Sequence, residues 1–214
     1  MLHKEILTPE TLSLLKTLMK DSNLQSFNLV GGTALSLYIG HRMSIDLDLF
    51  TPNSFDARRL SNHLTQEYGF KENFIEKDTL KGTINGVFVD LLTYPYQLLA
   101  PVNVEEDIRL LSIRDLASMK LATITDVGTR MKDFIDVAWL STMYSLDDMI
   151  EDYTQKYPGT SGVTTCKALL YYDDMNKNEL IQLINGKFSW KKVEERLQKM
   201  VSNPSHIFYN DNPV

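Results

Sequence analysis

The sequence predicts a mixed α/β (α+β) core that carries a C-terminal helical lobe. Three observations lead there. Strand-like apolar runs and a hairpin turn concentrate between residues 27 and 94, helical periodicity dominates after residue 112, and Pro95 and Pro101 interrupt the chain between them. The expected division is 1–110 for the α/β core and 111–214 for the lobe, which would contribute to the active-site cleft.

Thr8-Pro9 reads as an N-cap followed by proline at the first helical position, and Leu12, Leu15, Leu18 and Met19 form an apolar stripe to about Lys20. Phe27 to Val30 reads as a short strand ending at Gly31-Gly32, and Thr33 to Ile39 as a helix closed by Gly40. Ser44 to Phe50 alternates, with Ile45, Leu47 and Leu49 on one face and Ser44, Asp46 and Asp48 on the other. Ser54 to Tyr68 follows as a helix stopped by Gly69.

Phe74-Ile75, Thr79–Ile84 and Val87–Leu92 read as strands, the last two joined by an Asn85-Gly86 turn. The segment after Pro95 reads as a loop. Ser112 to Asp115 marks the start of a helix to about Thr125, a second spans Thr129 to Tyr144, and a third begins at Ser145. Residues 158–162 read as a linker, with helices expected at 163–173, 177–184 and 190–201 and a frayed tail from Pro204.

A hydrophobic fraction of 43% and a charged fraction of 23% describe an ordinary globular chain. A net charge of −6 argues against indiscriminate coating of nucleic acid, while leaving room for a local basic cleft. One cysteine, Cys166, permits no internal disulfide. No signal peptide or bilayer-length apolar stretch is evident, so a cytoplasmic protein is expected.

Asp46 and Asp48 carry the chemistry. Aspartate is depleted in strands, and two carboxylates side by side repel unless a cation sits between them. Mg²⁺ suits such hard oxygen ligands and brings phosphates with it. The Gly31-Gly32 turn lets backbone amides approach a phosphate at a helix start, and Thr33 adds a hydroxyl. Asp90, a lone acid in an apolar strand expected to be buried on both faces, is the natural third carboxylate.

Lys120 lies on a largely apolar helix face, from which it either snorkels to water or reaches a triphosphate. At about 100° per residue, Lys132, Asp133 and Asp136 share a face. They form either a functional motif or an ordinary surface pair between Lys132 and Asp136. Arg42 is placed to touch a phosphate, whereas Arg58 and Arg59 suit a solvated helix face. His3, His63 and His206 lack ligand spacing, and Tyr171, Tyr172 and Trp190 suit packing.

The run GGTALSLYIGHRMSIDLDLF, followed by VFVDLL, LASMKLATI and RMKDFIDV, resembles the AbiEii/AbiGii toxin family of nucleotidyltransferases, within the DNA polymerase β-like superfamily. The resemblance covers residues 25–145. It implies a polymerase β-like core with Asp46, Asp48 and Asp90 as ligands of Mg²⁺ (or Mn²⁺). Gly31, Gly32 and Thr33, with Arg42 and Ser44 nearby, would hold the phosphates of a nucleoside triphosphate. Lys120 would face the triphosphate, and Lys132 with Asp133 or Asp136, the latter favoured, would form the last charged motif.

The implied reaction moves a nucleoside monophosphate from an NTP to an acceptor hydroxyl, with tRNA as acceptor and a cognate antitoxin that forms no obligatory complex. Two alternatives stand beside it. One is a small-molecule, aminoglycoside-type transferase, which the acidic stretches Glu105-Glu106-Asp107 and Asp147-Asp148 would suit. The other is an inactive nucleotide-binding module, against which the intact carboxylates argue.

Overall fold

The computed structural model describes residues 1–214. The chain forms two compact units, one of Met1–Gly40, Ser44–Gln97 and Pro101–Leu111, the other of His41–Met43, Leu98–Ala100 and Ser112–Val214.

The first unit is built on a seven-stranded mixed sheet with helices α1 (Pro9–Lys20), α2 (Gly31–Ile39) and α3 (Ala57–Tyr68). Its strands are β1 (Asn28–Leu29), β2 (Leu47–Thr51), β3 (Lys71–Glu76), β4 (Thr79–Ile84), β5 (Val87–Thr93), β6 (Asn103–Glu105) and β7 (Ile108–Leu110), in the order β3-β4-β5-β2-β1-β7-β6. Thr8 caps α1 by accepting from the Thr11 amide, and Gly40 and Gly69 end α2 and α3 in the left-handed region. The cap of α3 is Asp56, so this helix starts at Ala57, three residues after the Ser54 start that the apolar pattern suggests.

The central pairing is β2 with β5, parallel and in register from Leu47↔Val89 to Thr51↔Thr93. Leu47, Leu49, Val89 and Leu91 are buried and supply the core beneath this part of the sheet. Phe88 on β5 is exposed and Asp90 half-buried, so β5 is buried on one face only, not on both as its apolar run suggests. Ile45 is 55% exposed, because the alternating pattern outruns the strand: β2 begins at Leu47.

The region read as a loop after Pro95 contains the β6–β7 hairpin. Its turn residues, Glu106 and Asp107, both have positive φ (50° and 66°), the twist a tight hairpin needs without the glycine that normally signals it.

The second unit comprises α4 (Ile113–Asp126), α5 (Met131–Leu140), α6 (Leu146–Lys156), α7 (Gly162–Ala168) and α8 (Trp190–Ser202). Ser112 caps α4, and Ser145 with Asp148 forms a complete capping box on α6. Phe134, Tyr172 and Trp190 pack edge to face, in keeping with their reading as packing residues.

Three expectations fail here. Residues 177–184 form no helix but a turn and irregular backbone, with an isolated bridge between Arg42 and Leu183. Residues 158–162 are a turn inside this unit rather than a linker, and Ser161 caps α7. The tail is docked, not frayed: Phe208 lies under the Arg196 guanidinium, 4.3 Å from ring centre to Cζ, and Arg196 donates to the Asp211 carbonyl. No helix is long and apolar enough to cross a membrane.

Candidate active site

The parallel register of β2 and β5 makes Asp48 and Asp90 direct neighbours on one face of the sheet. The hairpin register adds Lys81, which pairs with Asp90 across β4 and β5 and places Nζ 2.7 Å from Asp90 Oδ2. A row of one cation and two carboxylates thus crosses three adjacent strands. Lys81 was legible in principle: the two-residue turn at Asn85-Gly86 pairs Ile84 with Val87 and hence Lys81 with Asp90. Asp46 lies just before β2, in irregular backbone, and is exposed.

The glycine pair sits inside the first turn of α2, not in a turn ahead of it, and Val30 at the cap position offers no side-chain bond. Gly31 has φ +68°, and a Cβ there would lie 2.3 Å from Asp48 Oδ2. Only glycine fits for two independent reasons: the left-handed backbone and the carboxylate resting against it. A helix N-terminus favours negative charge at this point. Thr33 is buried, and its Oγ1 lies within hydrogen-bonding distance of Ser44 Oγ (2.8 Å) and of the Asp46 carbonyl. Thr33 and Ser44 therefore tie α2 to the segment that carries Asp46, which corrects the expectation that the Thr33 hydroxyl is free for a phosphate.

All the carboxylate donors are hard oxygens, the set that Mg²⁺ or Mn²⁺ takes. Asp48 and Asp90 fit such an ion as adjacent ligands, while no three acidic, histidine or cysteine side chains are gathered into a ready-made site.

The second unit holds the remaining candidates. Lys120 on α4 is neither snorkelled nor free: its Nζ lies 2.6 Å from Asp133 Oδ1 and 2.8 Å from Asp136 Oδ2, both on α5. Arg42 grips Asp136 with Nε on Oδ1 (2.7 Å) and Nη2 on Oδ2 (2.9 Å), and His41 Nε2 lies 2.7 Å from the same Oδ1. Arg130 closes on Asp133 at 2.8 Å.

Burial would raise the Asp136 carboxyl, but Arg42 and Lys120 outweigh it and hold the group well below the usual range. Burial pushes the His41 imidazole down despite the pull of Asp136, keeping it neutral near pH 7. The Lys120 ammonium, penalised by burial, is nevertheless raised by Asp136 and Asp133.

Two expectations are corrected by this cluster. Arg42 is buried, with its donors on Asp136 and the Met43 carbonyl, so it presents nothing to a phosphate. Lys132 does not partner Asp136: its Nζ lies 3.2 Å from Glu179 Oε1, and its backbone N–H donates to Glu179 Oε2. The helical wheel places Lys132 and Asp136 near one another in angle, but α5 turns Asp136 into the interior and leaves Lys132 at the surface. Nothing in local spacing marks His41 as the neighbour of Asp136, 95 residues away.

Three of the acids in these stretches already have partners within the chain. Glu105 pairs with the Met1 amino group, Glu106 with Lys4, and Asp148 completes the α6 capping box.

The family model for the nucleotidyl transferase AbiEii toxin of type IV toxin–antitoxin systems matches residues 13–203. An uncharacterized protein of Aquifex aeolicus (strain VF5) is 29% identical over 181 residues, 82% of this chain and 86% of that protein. Two crystal structures from Helicobacter pylori, one provisionally described as a nucleotidyltransferase, each align with a TM-score of 0.53 at 19% identity. They cover 95% and 93% of this chain and 93% of each of theirs, a likeness of fold. The mixed sheet with its helical extension is a nucleotidyltransferase fold. With the family model spanning most of its length, this chain belongs to the AbiEii nucleotidyl transferase toxin family.

Proposed function

We propose that the protein is a divalent-metal-dependent nucleotidyltransferase that moves a nucleoside monophosphate from an NTP to an acceptor hydroxyl, with the acceptor end of tRNA as the acceptor. The observation that carries the reading is the in-register pair Asp48 and Asp90, with the Asp48 carboxylate against Gly31 at the head of α2. A sheet face that places two like charges side by side next to Lys81 favours a further cation, and a helix start beside it suits an anion.

Asp48 and Asp90, with Asp46 nearby in sequence, would hold Mg²⁺ or Mn²⁺, which when bound would supply a lowered pKa for an acceptor hydroxyl and charge neutralisation for the pyrophosphate. The acceptor oxygen forms a bond to the α-phosphorus as the bond to pyrophosphate breaks. The hydroxyl proton goes to Asp90 Oδ1, since Oδ2 already accepts from Lys81. The backbone of Gly31 and Gly32 orients the phosphates. Lys120 and Asp136 are proposed as functional residues on the strength of the family motif, and Lys132 is assigned to holding Glu179. The proposed NTP and tRNA substrates favour a cytoplasmic reaction, and family membership supports a toxin role opposed by an antitoxin that need not form a stable complex with it.

The test is incubation of the protein with Mg²⁺, each labelled NTP in turn, and total tRNA, beside Asp48→Ala. Label should reach RNA with the parent, and Asp48→Ala should lower the rate by about a thousandfold with unfolding unchanged. Full activity in that variant would end the reading. Mg²⁺-dependent nucleotide binding without transfer to RNA would redirect the search to small-molecule acceptors.

A further inference from the structure

We propose that Arg42 is a positioning residue that acts through Asp136 on Lys120. The inference borrows from the transferase reading only its link to turnover.

A guanidinium that donates through Nε and Nη2 to the two oxygens of one carboxylate allows a single relative orientation of the two planes. In this chain that fork fixes Asp136, with contacts of 2.7 and 2.9 Å. Nη1 is anchored separately on the Met43 carbonyl at 3.2 Å, so the Arg42 fork cannot swing with its partner. Asp136 Oδ2 is thereby aimed at Lys120 Nζ, and Asp133 Oδ1 takes the ammonium from another side. The Lys120 ammonium is consequently held by two carboxylates, one of them oriented by Arg42.

The charges match this arrangement. Arg42 and Lys120 balance Asp133 and Asp136, and Arg130 reaches Asp133 from an exposed position. Without Arg42 the Asp136 carboxylate can turn about its Cβ–Cγ bond and faces only Lys120 as a permanent cation. His41, whose Nε2 already touches Oδ1 and whose Nδ1 is buried without a partner, is then the nearest group able to supply a compensating charge. Its own surroundings are Asp136, Arg42, Lys120 and the Trp139 ring, 5.7 Å away centre to centre. A residue filling space alone would not need this fork.

The experiment compares the parent with Arg42→Gln and Arg42→Lys, each labelled with ¹⁵N-lysine. The Lys120 Nζ resonance is assigned by its loss in Lys120→Arg. Turnover is measured with Mg²⁺, tRNA and the NTP the parent prefers, and folding by thermal unfolding. In folded Arg42→Gln the Lys120 resonance should move and kcat should fall by about tenfold to a hundredfold, with KM for the NTP changed less than about threefold. Arg42→Lys, which restores charge without the fork, should recover only part of kcat.

The proposal is overturned if folded Arg42→Gln keeps either the parent resonance or the parent kcat. If Arg42→Gln fails to fold, Arg42→Lys is judged by the same two criteria. Absence of turnover in the parent with every NTP would sink the transferase reading alone, and the Lys120 resonance would then decide the positioning role.

Discussion

In the first unit, Asp48 and Asp90 lie side by side on a sheet face, Asp46 is exposed, and the Asp90 carboxylate keeps 26% of its side-chain surface open. In the second, Arg42, Lys120, Asp133 and Asp136 close on one another with no side chain more than 7% exposed. The two arrangements use similar residues for opposite ends. A carboxylate pair that stays partly open to solvent can exchange a cation. A sealed cluster with its charges matched cannot, and serves to hold its members in place. Acidic residues are thus not equivalent, and accessibility separates those able to exchange a ligand from those that are held in place.

The sharpest way to break this contrast is to unbalance the sealed cluster. Asp136→Asn leaves Arg42 and Lys120 facing a neutral amide, and should destabilise the fold by about 3–5 kcal/mol, lowering Tm by roughly 10 °C or more. A variant that unfolds like the parent would mean the cluster is wetter than its burial indicates.

Gly31→Ala strikes the accessible pair instead. The left-handed backbone alone costs about 1–2 kcal/mol, and the new methyl group would overlap Asp48 Oδ2. Titration with Mn²⁺ should show affinity weakened by about tenfold or more. Unaltered Mn²⁺ binding would separate Asp48 from the metal.

A third test uses pH. The folded-state pKa of His41 lies below its ordinary value because burial disfavours the charged form. Its contribution is complete above the unfolded value of about 6.5 and is lost as pH falls below that value toward the folded one. The slope is at most about 1.4 kcal/mol per pH unit. His41→Gln, which can keep a donor toward Asp136, should flatten this part of the stability–pH curve measured by denaturant unfolding. Asp136, lowered rather than raised, keeps its contribution above a pH of about 3.9 and loses it only under stronger acid.

The smallest effect is expected for Lys81→Met. The Lys81–Asp90 pair is partly exposed, so its loss should change stability by less than about 1 kcal/mol. Because Lys81 competes with a metal for Asp90, Mn²⁺ should bind more tightly in the variant. Weaker binding would make Lys81 an organiser of the site.

Local signals revealed what local physics determines. The Thr8, Ser112 and Ser145 caps, the glycine stops at Gly40 and Gly69, and the Asn85-Gly86 hairpin all follow from neighbours in sequence, and all are present. The β6–β7 hairpin escaped because Glu106 and Asp107 adopt positive φ without glycine. The irregular course of 177–184 escaped because its backbone bonds go to distant residues: Met43 donates to the Gln182 carbonyl and Ile184 to that of His41. The Asp48–Asp90 pairing needed the order of strands, which periodicity does not provide. The Arg42–Asp136 contact spans 94 residues, and a helical wheel has no term for a partner from another segment.

The two short excursions that join the helical unit, His41–Met43 and Leu98–Ala100, each serve a buried aspartate. The first brings His41 and Arg42 to Asp136, and the second donates the Leu99 amide to Asp115, whose carboxylate also meets the Ser112 hydroxyl and the fully buried Lys156. A chimera that exchanged the helices of two relatives at a single junction near residue 112 would separate those acids from the segments they evolved beside. Grafting therefore has to move three pieces of chain together, and a fragment ending at Leu111 would carry His41 and Arg42 with no Asp136 to receive them.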